Sequence, residues 1–236
     1  FRSEKPNHDV VIVGWDDSYS KDNFNTDLEG DGAFICQNSW GDNFGENGFF
    51  YISYYDTNIG THNVVYTDIE NTDNYDHIYQ SDLCGWVGQL GYNKDSIYGA
   101  NVFTAEGNET LKAASFYATG KDSQYELYVV RQFEDETSLE KMIPVASGKL
   151  GNAGYYTVDF NQGIEVDAGE RYAVVLYIIT PGSVHPMAIE YAADEATENV
   201  DLDDGESYIS ANGSKWVSVD TVEKSNLCIK AFSDNR

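Results

Sequence analysis

The sequence predicts a mainly β protein built from two domains. Its 236 residues exceed the usual length of one domain. Short runs of apolar and aromatic residues recur along the chain and are separated by turn signals rich in glycine and asparagine. Almost none of these runs has a helical period, and only residues 135–142 are expected to form a short helix. We therefore expect β-sheets to dominate the fold.

The first predicted domain covers residues 1–70 and is expected to contain four strands. Its first run is apolar throughout, which is typical of a strand buried on both faces. A polar loop follows, and the chain then returns along a second strand. Residues 41–48 contain three glycines, so we expect backbone conformations with positive φ there. The strands are predicted at residues 10–15, 33–38, 49–55 and 63–69.

The second predicted domain covers residues 79–236 and follows a polar, acidic linker at residues 71–78. Its β-rich runs succeed one another at regular spacing, which is the signature of a sandwich or jelly roll. The strands are predicted at residues 97–104, 111–119, 125–133, 155–160, 171–180, 187–191, 208–210 and 227–232.

Acidic residues outnumber basic ones by forty to fourteen, which gives a formal net charge of −26. This charge argues against nucleic acid and against an anionic membrane surface as partners. No run of eighteen apolar residues occurs, so no membrane span is expected. The sequence therefore favours a partner that is neither nucleic acid nor lipid.

Two polar side chains stand at the ends of predicted neighbouring strands. His8 precedes the first predicted strand, and Asn38 ends the second. Where such strands pair, the imidazole meets a carboxamide that can orient it, and the indole of Trp40 can keep water from their contact. An oriented imidazole is the general base that nucleophilic catalysis requires.

Four separated blocks resemble the C-terminal half of a papain-like cysteine peptidase. They are Asn7-His8-Asp9-Val10, Gly14-Trp15, Gln37-Asn38-Ser39-Trp40-Gly41 and Gly45-Glu46-Asn47-Gly48-Phe49. The resemblance implies the β-rich, right-hand half of that fold and an activity that hydrolyses peptide bonds in peptides or proteins. It also implies that His8 is the catalytic base, that Asn38 orients it and that Trp40 shields their hydrogen bond.

Asp9 follows the implied base in the sequence. The resemblance places it beside the pocket for the substrate residue two positions before the cleaved bond. A carboxylate there would favour a basic or polar substrate side chain through Coulomb attraction. A solvated loop charge accounts for Asp9 equally well.

The resemblance stops short of a complete enzyme. The nucleophilic cysteine of the family and the glutamine before it have no matching block, and Cys36, Cys84 and Cys228 lack the family's context. We therefore expect a partner, most simply an N-terminal light chain of the same precursor that carries the catalytic cysteine and is cut just before Phe1. The rival expectation is an inactive peptidase remnant that serves as a glycan- or protein-binding module at the cell surface.

The second domain resembles the lectin-like β-sandwich that follows the peptidase domain in secreted or surface-attached peptidases of Gram-positive bacteria. The resemblance begins at Tyr79-Gln80-Ser81-Asp82 and includes Gly85. It implies an extracellular location, either secreted or at the cell surface, and makes a surface glycan a further candidate partner. Aromatic residues near turns are candidates for stacking on sugar rings, although tyrosine is also common in packed strands. These candidates are Trp86, Tyr92, Tyr98 and Trp216.

No cofactor and no metal site are expected. The histidines outside the predicted site lack the spacing of metal ligands. They are His62, His77 and His185. Residues 27–38 resemble a calcium loop, but Asn38 stands at the twelfth position in place of glutamate, so a solvated loop is favoured. The acidic run at residues 201–206 is interpreted in the same way.

The three cysteines have different expectations. Cys36 lies within a predicted strand and is interpreted as a small buried apolar residue. Cys84 and Cys228 lie in the first and last segments of the second domain, which can be neighbours in a sandwich. A disulfide between them is therefore left open.

Overall fold

The computed structural model describes residue 6, residues 8–61 and residues 63–236. The chain forms two compact units, Phe1–Thr67 and Asp68–Arg236. Nearly all of the regular structure is β-strand, as predicted. The strands are β1 Val11–Asp16, β2 Ala33–Gln37, β3 Phe49–Ser53, β4 His77–Tyr79, β5 Gly88–Leu90, β6 Ser96–Thr104, β7 Glu109–Ala118, β8 Ser123–Val130, β9 Ile143–Leu150, β10 Gly154–Val166, β11 Arg171–Ile179, β12 Met187–Glu190, β13 Ser207–Ser210, β14 Val217–Ser218, β15 Asn226–Leu227 and β16 Ile229–Asn235. Short 3₁₀ turns occupy Lys21–Asn23, Glu136–Glu140 and Val219–Thr221.

The first unit contains one antiparallel sheet with the strand order β1–β2–β3. Trp15 lies opposite Phe34, and Ile35 lies opposite Tyr51. The loop between β1 and β2 folds back on the sheet, where Tyr19 stacks on Tyr51 with ring centroids 4.2 Å apart. The three strands agree with their predicted positions to within two residues at each end. Their pairing brings the start of β1 beside the end of β2.

Two expectations about the first part of the chain are wrong. The predicted strand at residues 63–69 does not form, and Val64 and Val65 are each 77% exposed. A strand needs the backbone of a neighbour for its hydrogen bonds, and the only described strand paired with β3 is β2. The apolar run of β1 is not buried on both faces either, since Trp15 is 70% exposed. β1 is an edge strand, and sheet pairing alone does not cover its side chains.

The second unit is a β-sandwich. A four-stranded sheet with the order β10–β7–β16–β4 packs against a six-stranded sheet with the order β14–β13–β6–β11–β8–β9. A small third sheet has the order β15–β12–β5. Because side chains alternate along a strand, those on the two faces of β11 contribute to two different apolar clusters. Tyr172 and Leu176 lie in the main core between the sheets, whereas Ala173 and Val175 lie in a second cluster on the opposite face.

The main core is filled by side chains from both large sheets. Leu111 and Phe116 of β7 and Ile229 of β16 pack with Leu127 of β8 and Leu176 of β11. Each is at most 1% exposed. Burial of one such side chain stabilises a fold by about 1.5–3 kcal/mol. The core therefore holds the sheets together and fixes the loops at their edges.

All eight strands predicted for the second domain are present, but the last one is divided. The chain forms β15 in the small sheet and then crosses at Cys228 into the four-stranded sheet as β16. Four observed strands lie outside the predicted runs. They are β4, β5, β9 and β14. Three of them have only two or three residues, and β9 carries Pro144 at a register shift on the edge of the sheet, where a missing N–H is tolerated.

The short helix expected at residues 135–142 is a 3₁₀ turn, Glu136–Glu140. The Asp135 side chain accepts the Thr137 N–H at 3.0 Å and so caps the turn. Leu139 anchors the turn in the second apolar cluster. No helix among the described residues is long and apolar enough to cross a bilayer.

Residues 71–78 were predicted to be the linker between two domains, and that boundary remains a prediction. Its last two residues belong to β4, which pairs with β16. Within the same segment, the Tyr75 hydroxyl donates a hydrogen bond to Asp159 at 2.9 Å. The residues just before β4 are therefore held against the four-stranded sheet.

Candidate active site

His8 and Asn38 meet at one end of the first sheet. Asn38 directly follows β2, and His8 lies three residues before β1, whose Val11 pairs with Gln37 of β2. The Nε2 atom of His8 lies 2.9 Å from Oδ1 of Asn38. The contact expected from the sequence is therefore present, whereas the catalytic roles of the two residues stay a prediction.

The hydrogen bonds of Asn38 fix which nitrogen of His8 carries the proton. Asn38 Oδ1 also accepts the Ser39 backbone N–H, at 2.8 Å. A backbone N–H needs an acceptor, so this atom is the carboxamide oxygen, and His8 Nε2 is the nitrogen that donates to it. In the neutral ring, Nδ1 then carries the available lone pair. The arrangement presents Nδ1 as the basic atom.

The glycine-rich segment holds Asn38 in place. The Asn38 backbone N–H donates to the Gly48 carbonyl at 2.9 Å, and the Asn38 side chain is buried. Gly45 and Gly48 have φ of +56° and +89°, which meets the expectation of positive φ in this segment. A Cβ on Gly45 would lie 2.2 Å from the Phe49 carbonyl oxygen. Glycine therefore allows the segment to fold back onto the end of β2.

Trp40 packs on the His8 ring, with centroids 4.9 Å apart and planes 32° apart. Phe44 and Trp40 form a T-shaped contact with ring centroids 4.9 Å apart, and Phe44 contacts Phe50 of β3 at a centroid distance of 5.5 Å. Trp40 remains 62% exposed, so it covers one side of His8 while its own outer face stays open. Phe44 was not predicted from the sequence to belong to the site. The one feature that could have indicated it is an aromatic residue within a glycine-rich segment.

Asp9 is exposed beside the candidate base. An exposed carboxylate is available both to solvent and to a ligand. This exposure agrees with both accounts of Asp9, so its part in substrate preference stays a prediction.

The three cysteines are free thiols, so the disulfide left open between Cys84 and Cys228 is not formed. Burial raises the pKa of the Cys36 and Cys228 thiols. Desolvation and the nearby Glu190 carboxylate raise the pKa of Cys84. An activated thiol has a lowered pKa instead. None of the three therefore has the properties of a nucleophilic cysteine.

Two family models divide the chain between them. Residues 1–69 match the model described as papain family cysteine protease, and residues 78–233 match the model described as lectin like domain. The second match covers more than half of the 236 residues. This chain belongs to the lectin-like domain family. The residues before the lectin-like domain correspond to the C-terminal part of a papain family cysteine protease, as the sequence blocks indicated.

Solved structures similar to this chain contain the same two parts. One is the clostridial cysteine protease Cwp84 after propeptide cleavage, with 29% identity, a TM-score of 0.77, and coverage of 98% of this chain and 58% of that one. Another contains the cysteine protease and lectin-like domains of Cwp84, a surface layer associated protein of Clostridium difficile. It has 27% identity, a TM-score of 0.73, and coverage of 98% and 52%. The chain thus spans little more than half the length of these structures. A search of curated proteins found no match.

The aromatic candidates of the lectin-like domain fall into different environments. Tyr98 stacks on Tyr177 with centroids 4.2 Å apart, and the edge of Trp216 meets Tyr98 at 6.2 Å. Trp86 packs against Tyr117, which lies in β7 of the four-stranded sheet. Tyr92 packs against the main core. The structure therefore brings two of the four candidates together and adds Tyr177 to them.

Within the described parts of the chain, no three His, Cys, Asp or Glu side chains form a group that could hold a metal ion. His77 Nε2 lies 3.0 Å from Asn235 Oδ1, and this hydrogen bond raises the pKa of His77. His62 lies outside the described residues. In the segment that resembles a calcium loop, Asp31 accepts the Lys21 backbone N–H at 2.9 Å, as in a self-contained polar loop.

Proposed function

We propose that the first unit supplies the base-bearing half of the active site of a secreted papain-like cysteine endopeptidase. One observation carries this proposal: Asn38 orients the His8 ring by accepting from Nε2, so that Nδ1 is left as the base beneath Trp40. The raised pKa values of the three thiols in this chain support a nucleophile that comes from another polypeptide segment. The candidate source is an N-terminal light chain that carries the catalytic cysteine.

The proposed reaction uses His8 twice. His8 Nδ1 takes the proton of the thiol, and the thiolate attacks the peptide carbonyl carbon to form a C–S bond. The imidazolium then gives its proton to the leaving amine as the C–N bond breaks, which leaves a thioester. A water molecule next gives a proton to Nδ1 and attacks the thioester carbon to form a C–O bond. The C–S bond then breaks, the imidazolium returns the proton to the departing thiolate, and the acid product leaves. Asn38 keeps the ring orientation through both halves of the cycle.

The location proposed for this enzyme is extracellular, either secreted or on the surface of a Gram-positive cell. Support comes from the lectin-like domain and from the similar protein Cwp84, which is described as surface layer associated. Proteomics of culture supernatant and of washed cell surfaces would test this location. Recovery of the protein only from the cell interior would contradict it.

The proposed activity is tested by joining this chain to the polypeptide that carries the predicted thiol. We expect hydrolysis of a peptide library and labelling of that thiol by an epoxide that alkylates active-site cysteines. His8→Ala should abolish both. The matched control is His77→Ala, because His77 faces an asparagine oxygen at 3.0 Å in the lectin-like domain without serving the proposed reaction. Equal labelling of the two variants would overturn the proposal.

A second candidate function is glycan binding by the lectin-like domain, with the peptidase part as an inactive remnant. The observation that favours it is Tyr177, which stacks on Tyr98 and lines a surface cavity of about 260 Å³ together with Gln124, Glu126 and Lys149. Flat aromatic faces and polar side chains together suit sugar rings. Glycan-array binding that Tyr177→Ala removes, without any labelled thiol, would favour this function over proteolysis.

A further inference from the structure

The outer face of the six-stranded sheet is only partly covered by the second apolar cluster. Ala173 and Val175 of β11 belong to that cluster. Since every second side chain of a strand lies on the same face, Tyr177 and Ile179 of β11 share the outer face with them. These two side chains are half-buried and lie outside the cluster. A strip of the sheet beyond the cluster therefore faces solvent.

The strand register places two rows of side chains next to each other on this strip. In the first row, Tyr177 of β11 lies opposite Glu126 of β8, which lies opposite Ser147 of β9. The second row has the same strand order and consists of Ile179, Gln124 and Lys149. Directly opposite residues of neighbouring strands share a face. An aromatic and aliphatic wall from β11 therefore borders a polar floor from β8 and β9.

The strip contains two adjoining cavities. The first has a volume of about 260 Å³ and is lined by both rows. The second has a volume of about 290 Å³ and shares Gln124 and Lys149 with the first. It extends to the end of the sheet, at Asp122, Gly151 and Pro181. At about 30 Å³ per water molecule, each cavity holds about nine waters, which is room for one sugar ring with its substituents. Two consecutive units of a saccharide therefore fit across β8 and β9.

Tyr177 presents one face of its ring to the first cavity. Tyr98 of β6 stacks on the other face, with centroids 4.2 Å apart and planes 21° apart. Since β6 and β8 lie on opposite sides of β11, the uncovered face of Tyr177 is directed toward β8. A flat aromatic face of this kind suits the C–H groups of a sugar ring. The stacking on Tyr98 holds the Tyr177 ring in position for such a contact.

The charged groups of the floor are available to a ligand. The Tyr128 hydroxyl donates a hydrogen bond to Oε2 of Glu126 and so holds the carboxylate in place. Within the described parts of the chain, no other side-chain hydrogen bond or ion pair engages Glu126, and none engages Lys149. Both residues line the first cavity. An acceptor and a donor therefore face the same space without being paired to each other.

This combination selects a substituent that both donates and accepts. An acetamido group has an N–H for the Glu126 carboxylate and a carbonyl oxygen for the Lys149 ammonium. Hydrogen bonds with one ionised partner are also stronger than neutral ones. A free amine is positively charged and would be repelled by Lys149, whereas a hydroxyl has one atom for both contacts. The polar floor therefore fits an N-acetylated amino sugar best.

The charge of the protein disfavours acidic glycans. The formal net charge is −26, and each cavity has a carboxylate in its lining, Glu126 in the first and Asp122 in the second. Polymers that carry phosphate, sulfate or carboxylate groups would be repelled. The ligand that suits both cavities is therefore a neutral saccharide.

We propose that the lectin-like domain binds a neutral chain of N-acetylated amino sugars across β11, β8 and β9. One unit stacks on Tyr177, with its acetamido group between Glu126 and Lys149. The next unit occupies the second cavity, beside Gly151. This inference rests on the second candidate function, glycan binding by the lectin-like domain, and holds whether or not the peptidase part is active.

Three tetrasaccharides with a common backbone test the ligand class. Chitotetraose, its de-N-acetylated form and cellotetraose differ only at C2, which carries an acetamido group, an amine or a hydroxyl. Isothermal titration calorimetry with the whole chain measures the Kd of each, at about 0.15 M salt to screen general attraction of the amine form. We expect chitotetraose to bind at least about tenfold more tightly than the other two, because each of those lacks one charge-assisted hydrogen bond.

Two lysines make the matched test of the acetamido contact. Lys149→Glu removes the donor and puts a second carboxylate beside Glu126, so chitotetraose should bind about tenfold more weakly and the amine form more tightly. Lys121→Glu makes the same charge change at an exposed residue that lines neither cavity, and should leave the order of the three saccharides unchanged. Circular dichroism checks that both variants fold. Should Lys149→Glu not fold, Lys149→Gln is compared with Lys121→Gln.

Gly151 tests the second cavity separately. A Cβ at this position would have open space around it, so a larger side chain is accommodated and fills the cavity. Gly151→Phe should weaken chitotetraose binding by about tenfold, because the second sugar unit loses its place. Gly151→Ala adds a single carbon and is the control. Equal affinities of these two variants would contradict a ligand that extends into the second cavity.

The outcomes distinguish this inference from the function on which it rests. A preference for chitotetraose that Lys149→Glu and Gly151→Phe remove, and that their controls keep, supports the site. Equal binding of the three tetrasaccharides, or equal losses in Lys149→Glu and Lys121→Glu, overturns it. A glycan array with no bound glycan would defeat glycan binding and this inference together. Array binding that requires no acetamido group and survives Lys149→Glu would defeat this inference alone.

Discussion

The His8 ring and the Asn38 carboxamide share one hydrogen bond of 2.9 Å, in which Nε2 donates and Oδ1 accepts. Because the Ser39 N–H fixes the identity of that oxygen, the bond selects one tautomer of an exposed histidine. A neutral imidazole without such a partner distributes its proton between both nitrogens and rotates about its side-chain bonds. The bond therefore fixes the orientation and the tautomer of the His8 ring.

Removing the acceptor should impair the reconstituted enzyme without abolishing its activity. In Asn38→Ala the Nε2 proton loses its partner and the ring can turn, so we expect kcat to fall by about 10–100-fold. His8→Ala removes the base itself and should reduce kcat by about 10⁴-fold or more, which abolishes measurable turnover. Steady-state kinetics on one peptide substrate measures both. Asn235→Ala, which removes the partner of His77, is the control. Equal losses in Asn38→Ala and His8→Ala would contradict the orienting role.

Trp40 should matter more for the reaction than for the fold. Its ring lies 4.9 Å from that of His8 but is 62% exposed, so Trp40→Ala removes little buried area. We expect kcat/KM of the reconstituted enzyme to fall by about tenfold as water reaches the His8–Asn38 bond. The thermal midpoint should move by no more than a few degrees. A large loss of stability with unchanged kinetics per folded molecule would contradict the shielding role.

Two glycines of one loop should respond differently to alanine. Gly45 has φ +56°, and a Cβ there would lie 2.2 Å from the Phe49 carbonyl oxygen. Gly41 has φ +81° but open space around the added carbon. Gly41→Ala should therefore cost about 1–2 kcal/mol from backbone strain alone. Gly45→Ala should cost clearly more, because the backbone around Asn38 must move. Urea unfolding followed by tryptophan fluorescence measures both, and equal costs would contradict the steric argument.

Asp82 should give the lectin-like domain an unusual pH dependence. Burial raises its pKa from 3.8 to about 6, while the Lys230 ammonium acts in the opposite direction. Between these two pH values the folded domain binds more protons than the unfolded chain, so this group's contribution to stability falls as pH rises from about 4 to about 6 and is constant above that. The shift corresponds to about 3 kcal/mol.

Asp82→Asn isolates this contribution, because it keeps the shape and removes the titration. The free energy of unfolding by urea is measured from pH 4 to pH 7 for both proteins, and their difference is plotted against pH. We expect the stability of the native protein relative to Asp82→Asn to fall across the window and then to level off. A flat difference would show that Asp82 titrates as an ordinary carboxyl group.

The fold was largely predictable, because strands covered on both faces leave a clear pattern. In β11, Tyr172 to Leu176 alternate between two apolar clusters, and such a run predicts a strand without further context. Short strands such as β4 and β14 have too few residues to show a period. The alternation at residues 63–69 led to a wrong prediction of a strand. Such a pattern shows that a strand can form, but a strand also needs a neighbouring strand to pair with.

Polar clusters differ in how much the sequence reveals about them. His8 and Asn38 stand at strand ends inside recognisable blocks, so their meeting followed from the pairing of two strands. Around Asn226, in contrast, two of the four oxygens near Nδ2 are the backbone carbonyls of Ser81 and Asp201, and a carbonyl has no signature in a sequence. The segments that meet there are up to 145 residues apart. Only the folded sandwich brings them together.

β4 and β16 lie side by side in the same sheet although about 150 residues separate them, so Tyr79 pairs with Ala231. During synthesis the four-stranded sheet therefore lacks one of its inner strands until β16 has left the ribosome. The edge of β7 that pairs with β16 is open to wrong partners during that time. A ribosome stalled a few residues before β16 should consequently display a domain that proteases and chaperones still recognise as unfolded, whereas release of β16 from the ribosome should bring protection in a single step.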